Sequence, residues 1–153
     1  MSDDDTPFRA LDPYDWAALL GLIRRAFAGM DGRIDPPSSL QDLTAQGLAV
    51  AGEVWVLGQP AVACMVLKRI EGGLYLGKLA VEPALQARGM GRLMVARAEA
   101  RARELGLQRV ELATRVELIE NHRFYLGLGF EEMSRSAHPG FDRATSVRYG
   151  KQV

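Results

Sequence analysis

Cysteine, histidine and lysine are scarce in this 153-residue sequence, at one, two and three copies. The lone Cys64 lies inside the apolar run 61–67, so it forms no internal disulfide, and a buried, inert thiol is expected. His122 and His138 stand in no recognised ligand spacing, and no metal is expected. No apolar stretch approaches the ~18 residues of a membrane span. The chain starts with acidic and polar residues, the reverse of a signal peptide. Residues 1–6 are therefore expected to be flexible and the protein cytoplasmic, with no membrane partner. A surplus of positive charge is missing too: 19 Lys+Arg meet 19 Asp+Glu. That argues against a nucleic-acid partner, whose binding would draw on a basic surplus that releases counterions.

What is present is ordinary globular material, 48% apolar and 25% charged. A chain of this length buries roughly 70% of its unfolded surface and needs no covalent staple. A single domain over residues 1–153 is expected. The charge is unevenly spread: residues 1–75 hold 6 basic and 10 acidic side chains, residues 76–153 hold 13 and 9. An anionic ligand is therefore sought in the second half. The run Arg97, Arg101, Arg103 and Arg109 reads as a solvated helix face, with Glu99 and Arg103 an i,i+4 pair and Met90, Met94, Ala98 and Ala102 on another face.

Periodicity orders the chain. A short strand at 8–11 precedes a helix capped by Asp12 with Pro13 in its first turn, carrying Trp16, Leu19, Leu20, Ile23 and Phe27 and closing at Gly29. Ser38 caps a second short helix that ends near Gly47. Strands at 49–57, 61–70 and 74–81 follow, joined by connections short enough only for hairpins. Then come a helix at 89–105 ended by Gly106, a strand at 108–113, a helix at 119–126, and strands at 130–134 and 144–149. The helical crossover makes strands 74–81 and 108–113 parallel in an otherwise antiparallel sheet.

One segment carries chemistry: Leu79-Ala80-Val81-Glu82-Pro83, then Gln86-Ala87-Arg88-Gly89-Met90-Gly91-Arg92. A strand runs through a short loop into a glycine-marked helix start, where unpaired N–H groups and the helix dipole suit a phosphate. Two other phosphate loops fail here. A P-loop needs Lys-Ser/Thr after Gly91, where Arg92-Leu93 stand; a dinucleotide fingerprint needs a third glycine where Met94 stands and a far shorter strand-to-glycine turn. Glu111 lies near the right distance for that fingerprint's ribose-binding acid, but the turn does not support it.

Gln86-x-x-Gly89-x-Gly91 matches the Arg/Gln-x-x-Gly-x-Gly/Ala acetyl-CoA signature of the GNAT superfamily of N-acetyltransferases. The strand ending Leu79-x-Val81-x-Pro83, the later block Glu120-Asn121-x-x-x-Tyr125-x-x-x-Gly129-Phe130 and the element order also resemble that family. The resemblance implies the mixed α/β (α+β) GNAT acyl-CoA N-acyltransferase fold, a central, mostly antiparallel twisted sheet with one parallel pair, flanked by about four helices. It further implies acetyl-CoA as co-substrate, held by Leu79, Ala80, Val81, Gln86, Ala87, Arg88, Gly89, Met90, Gly91, Arg92, Asn121 and Phe124. Acetyl would pass directly to a small-molecule or protein amine, with the N–H of Ala80 or Val81 on the thioester oxygen and Tyr125 as catalytic acid to the departing thiolate. The family's commoner second block has Asn where Leu118 stands, and some members have a glutamate base where Tyr75 stands. The base is therefore open among Glu82, Glu117, His138 and water.

By the same resemblance the tip 138–143 lies near the acceptor, and Asp31 and Asp35 would favour a cationic one. His122 is expected to be an exposed helix residue. The C-terminal edge strand is compatible with a homodimer. A rival reading is a non-catalytic acyl-CoA-binding or sensing module; a weaker one is a nucleotide-binding oxidoreductase.

Overall fold

The computed structural model describes residues 6–153, so the flexibility expected of 1–6 falls, for 1–5, outside the described residues. In chain order the elements are β1 (Phe8–Arg9), α1 (Trp16–Phe27), α2 (Ala45–Ala49), β2 (Glu53–Leu57), β3 (Ala63–Ile70), β4 (Gly73–Val81), α3 (Met90–Glu104), β5 (Arg109–Arg115), α4 (Ile119–Gly127), β6 (Glu131–Ser136) and β7 (Ser146–Gln152). The strands form a seven-stranded sheet in the order β1-β2-β3-β4-β5-β7-β6. All neighbours are antiparallel except β4 and β5, as the crossover through α3 requires.

β3 reads as a continuous apolar run because it is buried on both faces. Ala63, Met65 and Leu67 meet Met94, Val95, Ala98 and Ala102 of α3, while Cys64 and Val66 meet Leu19, Leu22 and Ile23 of α1 and Leu48 of α2. Among the described residues, no helix makes more than slight contact with the second face of β5 and β7. There Glu111 is buried beneath two guanidiniums, Arg109 at 2.7 Å and Arg148 at 2.8 Å, and Arg148 lies over the Tyr75 ring. Glu111 is thus a strut of the sheet, far from the glycine turn.

Several boundaries differ from the sequence reading. Asp15, not Asp12, caps α1, accepting the Ala18 amide at 3.0 Å; Asp12 instead accepts the Trp16 indole N–H at 2.6 Å. The second helix is two pieces, a 3₁₀ turn at Ser39–Asp42 capped by Ser38 and α2 capped by Thr44. Arg97 and Arg101 are not simply solvated. Arg101 forks onto Glu53 of β2 at 2.8 and 2.9 Å, Arg97 stacks on Trp55, and both pair with Glu104. Arg103 is the outward member, 3.9 Å from Glu99.

Candidate active site

The parallel seam between β4 and β5 is short. Gly73, Leu74 and Tyr75 pair with Arg109, Val110 and Glu111, and beyond them the strands separate. Residues 75–81 on one side and 112–115 on the other then line a cleft of about 640 Å³, closed by the end of α1, the 38–40 turn and α4. A bulge shapes the β4 wall: Cys64 and Val66 of β3 oppose Ala80 and Gly77, so β4 carries an extra residue at Lys78, whose φ is 51°.

Ladder alternation decides where the β4 amides point. Glu82 N–H bonds the Val62 carbonyl at 2.8 Å, so the next pair, Ala63 and Val81, turns its backbone groups outward. The Val81 carbonyl accepts Gln86 Nε2 at 3.2 Å on that side, and the Val81 amide faces the cleft. Ala80 turns back toward β3. Its amide reaches Cys64, whose thiol burial pushes up to about 12 against that smaller opposing bond. Of the two amides considered for the thioester oxygen, Val81 has the open one.

At the cleft mouth, α3 starts with Gly89 at φ 84° and no side-chain cap, after Ala87 at φ 65°. A Cβ on Gly89 would touch nothing within 4 Å, so that glycine answers to backbone conformation; a Cβ on Gly91 would sit 3.3 Å from the Phe124 ring. The two sequence blocks therefore meet at Gly91 and Phe124. The first-turn amides and dipole of α3 fit an anion such as a diphosphate. Leu79, Ala80, Val81, Gln86, Gly91, Asn121, Phe124 and Tyr125 line the cleft, whereas Ala87, Arg88, Gly89, Met90 and Arg92 lie outside its lining, at the turn.

Tyr125 stands on α4 with its ring buried against Phe124, Phe130 and Tyr149, at centroid distances of 5.2, 5.9 and 6.3 Å. Its hydroxyl bonds no described residue, and burial, reinforced by Tyr75, pushes its pKa up to about 12. The motif spacing after it has a physical reason. Gly129, at φ 92°, ends α4 so that the Phe130 amide reaches back to the Tyr125 carbonyl at 3.0 Å and Gly129 to Leu126 at 3.1 Å, which is a Schellman closure. Asn121 Nδ2 donates to Thr114 Oγ1 at 3.1 Å, tying α4 to β5.

The sequence model of the Acetyltransferase (GNAT) family matches residues 16–130, spanning the splayed strands, the glycine turn and Tyr125. The chain belongs to the GNAT family. Among solved structures, this GNAT chain is similar to the ribosomal-protein-S18-alanine N-acetyltransferase from Escherichia coli, at 20% identity and TM-score 0.71, covering 96% of this chain and 94% of that one. An acetyltransferase from Streptococcus agalactiae 2603 gives 22% and 0.73, with 96% and 97% covered. An acetyltransferase from Bacillus subtilis in complex with CoA gives 19% and 0.68, with 97% and 98% covered. No curated protein sequence matches at a significant level. Among the described residues no helix is long and apolar enough to cross a membrane, and no three His, Cys, Asp or Glu side chains cluster as metal ligands.

Two expectations for the GNAT cleft are corrected. Asp31 and Asp35 do not line it, and Asp35 pairs with Arg143 at 3.4 Å, so no acidic acceptor pocket forms from them. The carboxylate that does line it, Glu120, is held down to about 2 by hydrogen bonds from Arg33. His122 is half-buried, its Nδ1 2.6 Å from the Tyr149 hydroxyl and its Nε2 3.0 Å from the Arg115 carbonyl. No sequence signal marks that role, because its partners arrive from β5 and β7 only on folding.

Proposed function

We propose that this GNAT protein, as one domain over its 153 residues, moves an acetyl group from acetyl-CoA directly to a primary amine of a small molecule or a protein. The observation that carries this reading is the outward Val81 amide in a splayed sheet, facing the same cleft as the unbonded Tyr125 hydroxyl. Acetyl-CoA enters as substrate, its diphosphate on the bare start of α3 and its thioester between β4 and β5. Holding both reactants in one cleft lowers the entropic barrier. The Val81 N–H stabilises negative charge as it develops on the thioester oxygen. Tyr125 donates its phenolic proton as the sulfur leaves. Phe124 and Asn121 position the arm between sulfur and diphosphate.

Two measurements test the reading. Acetyl-CoA at 100 times its Kd is expected to stabilise the fold by about 2.7 kcal/mol, and a primary amine is then expected to elicit free CoA thiol. A melting temperature unmoved by millimolar acetyl-CoA sinks the site. Stabilisation without thiol release from any amine leaves the binding or sensing module instead.

A further inference from the structure

The amine needs a destination for its proton, and the three side chains considered for it part company in the structure. Glu82 is forked by Arg25 at 2.9 and 3.1 Å, which holds its carboxyl below the usual range. Glu117 is absent from the cleft lining; its Oε2 accepts the Asp35 amide at 3.1 Å and faces Arg143 at 4.0 Å. His138 does line the cleft, with Thr114, Arg115, Ser146 and Tyr125. In the stretch 131–140 every other residue is exposed, and His138 alone is drawn in to half burial.

Thr145, fully buried, holds this ring. Its hydroxyl oxygen accepts the His138 backbone N–H at 2.9 Å, contacts the ring Nδ1, and lies 3.4 Å from the Ser136 carbonyl, which accepts only. A threonine hydroxyl has one proton and two lone pairs. All three contacts become hydrogen bonds in one arrangement: the hydroxyl donates to Ser136 while Nδ1–H donates to the hydroxyl. In the other tautomer the hydroxyl proton goes to Nδ1 and the Ser136 contact is lost. The saturated arrangement leaves Nε2 with a bare lone pair. It also survives protonation of the ring, because Nδ1–H keeps its acceptor. The charged groups on neighbouring elements are engaged elsewhere: Arg115 on the Pro36 and Pro37 carbonyls, Arg143 on Asp35 and Glu117, Arg33 on Glu120.

We infer that His138 Nε2 is the general base that takes the proton of the acceptor amine, a step that rests on the acetyltransferase reading above. The ammonium gives one proton to Nε2, leaving imidazolium and a free amine. Attack forms the C–N bond, the C–S bond breaks with its electron pair on sulfur, and the sulfur takes the Tyr125 proton. The second nitrogen proton restores the Tyr125 phenol through solvent, and the imidazolium discharges to solvent. The products are the amide, CoA thiol and one net proton.

The two histidines give an internal control. The Arg115 carbonyl only accepts, so His122 carries its proton on Nε2, whereas His138 carries it on Nδ1. Ring-nitrogen NMR of the wild-type protein labelled in histidine is expected to show opposite tautomers, assigned with His138→Asn. That variant keeps a donor near Nδ1 for Thr145 and removes Nε2. A panel of alkylamines, polyamines, amino acids and peptides is then screened with wild type for acetyl-CoA-dependent thiol release. With the amine it turns over, His138→Asn is expected to lose about 10²-fold or more in kcat, to keep KM for acetyl-CoA, and to lose the acidic limb of the kcat/KM profile. A His138 proton on Nε2, or an unchanged rate and profile in the variant, overturns the base while the transferase stands. Thiol release from no amine by an acetyl-CoA-stabilised wild type overturns the transferase reading first and the base with it.

Discussion

The Tyr125 hydroxyl makes no hydrogen bond with any described residue, so its removal takes little from the fold. Its three aromatic neighbours hold the ring, which Phe would fill equally. With the pKa raised to about 12, the phenol stays protonated well above neutrality. The upward shift keeps the proton on the phenol while making it a weaker acid, so Tyr125 imposes no alkaline fall below about pH 10. Tyr125→Phe is expected to lower the single-turnover rate about 10²-fold with the melting temperature unchanged; an equal rate removes Tyr125 from the chemistry. Gln86, Gly91, Asn121, Phe124 and Tyr125, which line the cleft, stand out in the sequence because they sit in two short blocks with fixed spacing. Asp15, Thr44 and His122 do not, since two polar candidates compete within four residues of the α1 start and the His122 partners come from distant strands.

At the scale of elements, glycine placement separates backbone demands from spatial ones. Gly106 and Gly129 end α3 and α4 at positive φ; the sequence marks Gly106 as a helix end and Gly129 only as a motif position. Gly73 reads in sequence as a residue of the hairpin connection, yet it is the first residue of β4, and a Cβ there would lie 2.7 Å from the Arg109 carbonyl, inside the three-pair seam. Gly73→Ala is expected to cost about 1–3 kcal/mol, read as a lower denaturant midpoint. A stability equal to wild type would mean the seam yields freely. The split of the second helix escaped the pattern because Leu40 and Leu43 keep helical spacing right up to the break that Thr44 makes by capping α2.

Across the whole molecule, balanced charge is spent on ties between elements. Glu53 joins β2 to α3 through Arg101, whose hydrogen bond lowers its pKa; Glu111 joins β5 to β7, and there the arginine bonds together outweigh a burial effect that raises the pKa. Folded values below the unfolded ones mean that this stability is present above the ordinary carboxylate range and is lost as pH falls through the folded values. The melting temperature is expected to be flat from about pH 7 to 5 and to fall below about pH 4. Glu111→Gln is expected to melt lower at pH 7 and to show a shallower acid fall; an acid fall as steep as wild type assigns that loss elsewhere. The β2-β3-β4 meander and the parallel β4–β5 pair were readable from connection lengths, but the C-terminal strand expected at the edge lies inside the sheet, β7 running between β5 and β6. The cleft was not readable, because it comes from β4 and β5 parting after only three residues, and no pattern in either strand marks that point.

That parting also makes the protein a pair of jaws on a short hinge. Prising the free ends of β4 and β5 apart breaks no rung between them, so the gape of the mouth is set by what α1 and α4 wedge into it and not by the sheet's own cohesion.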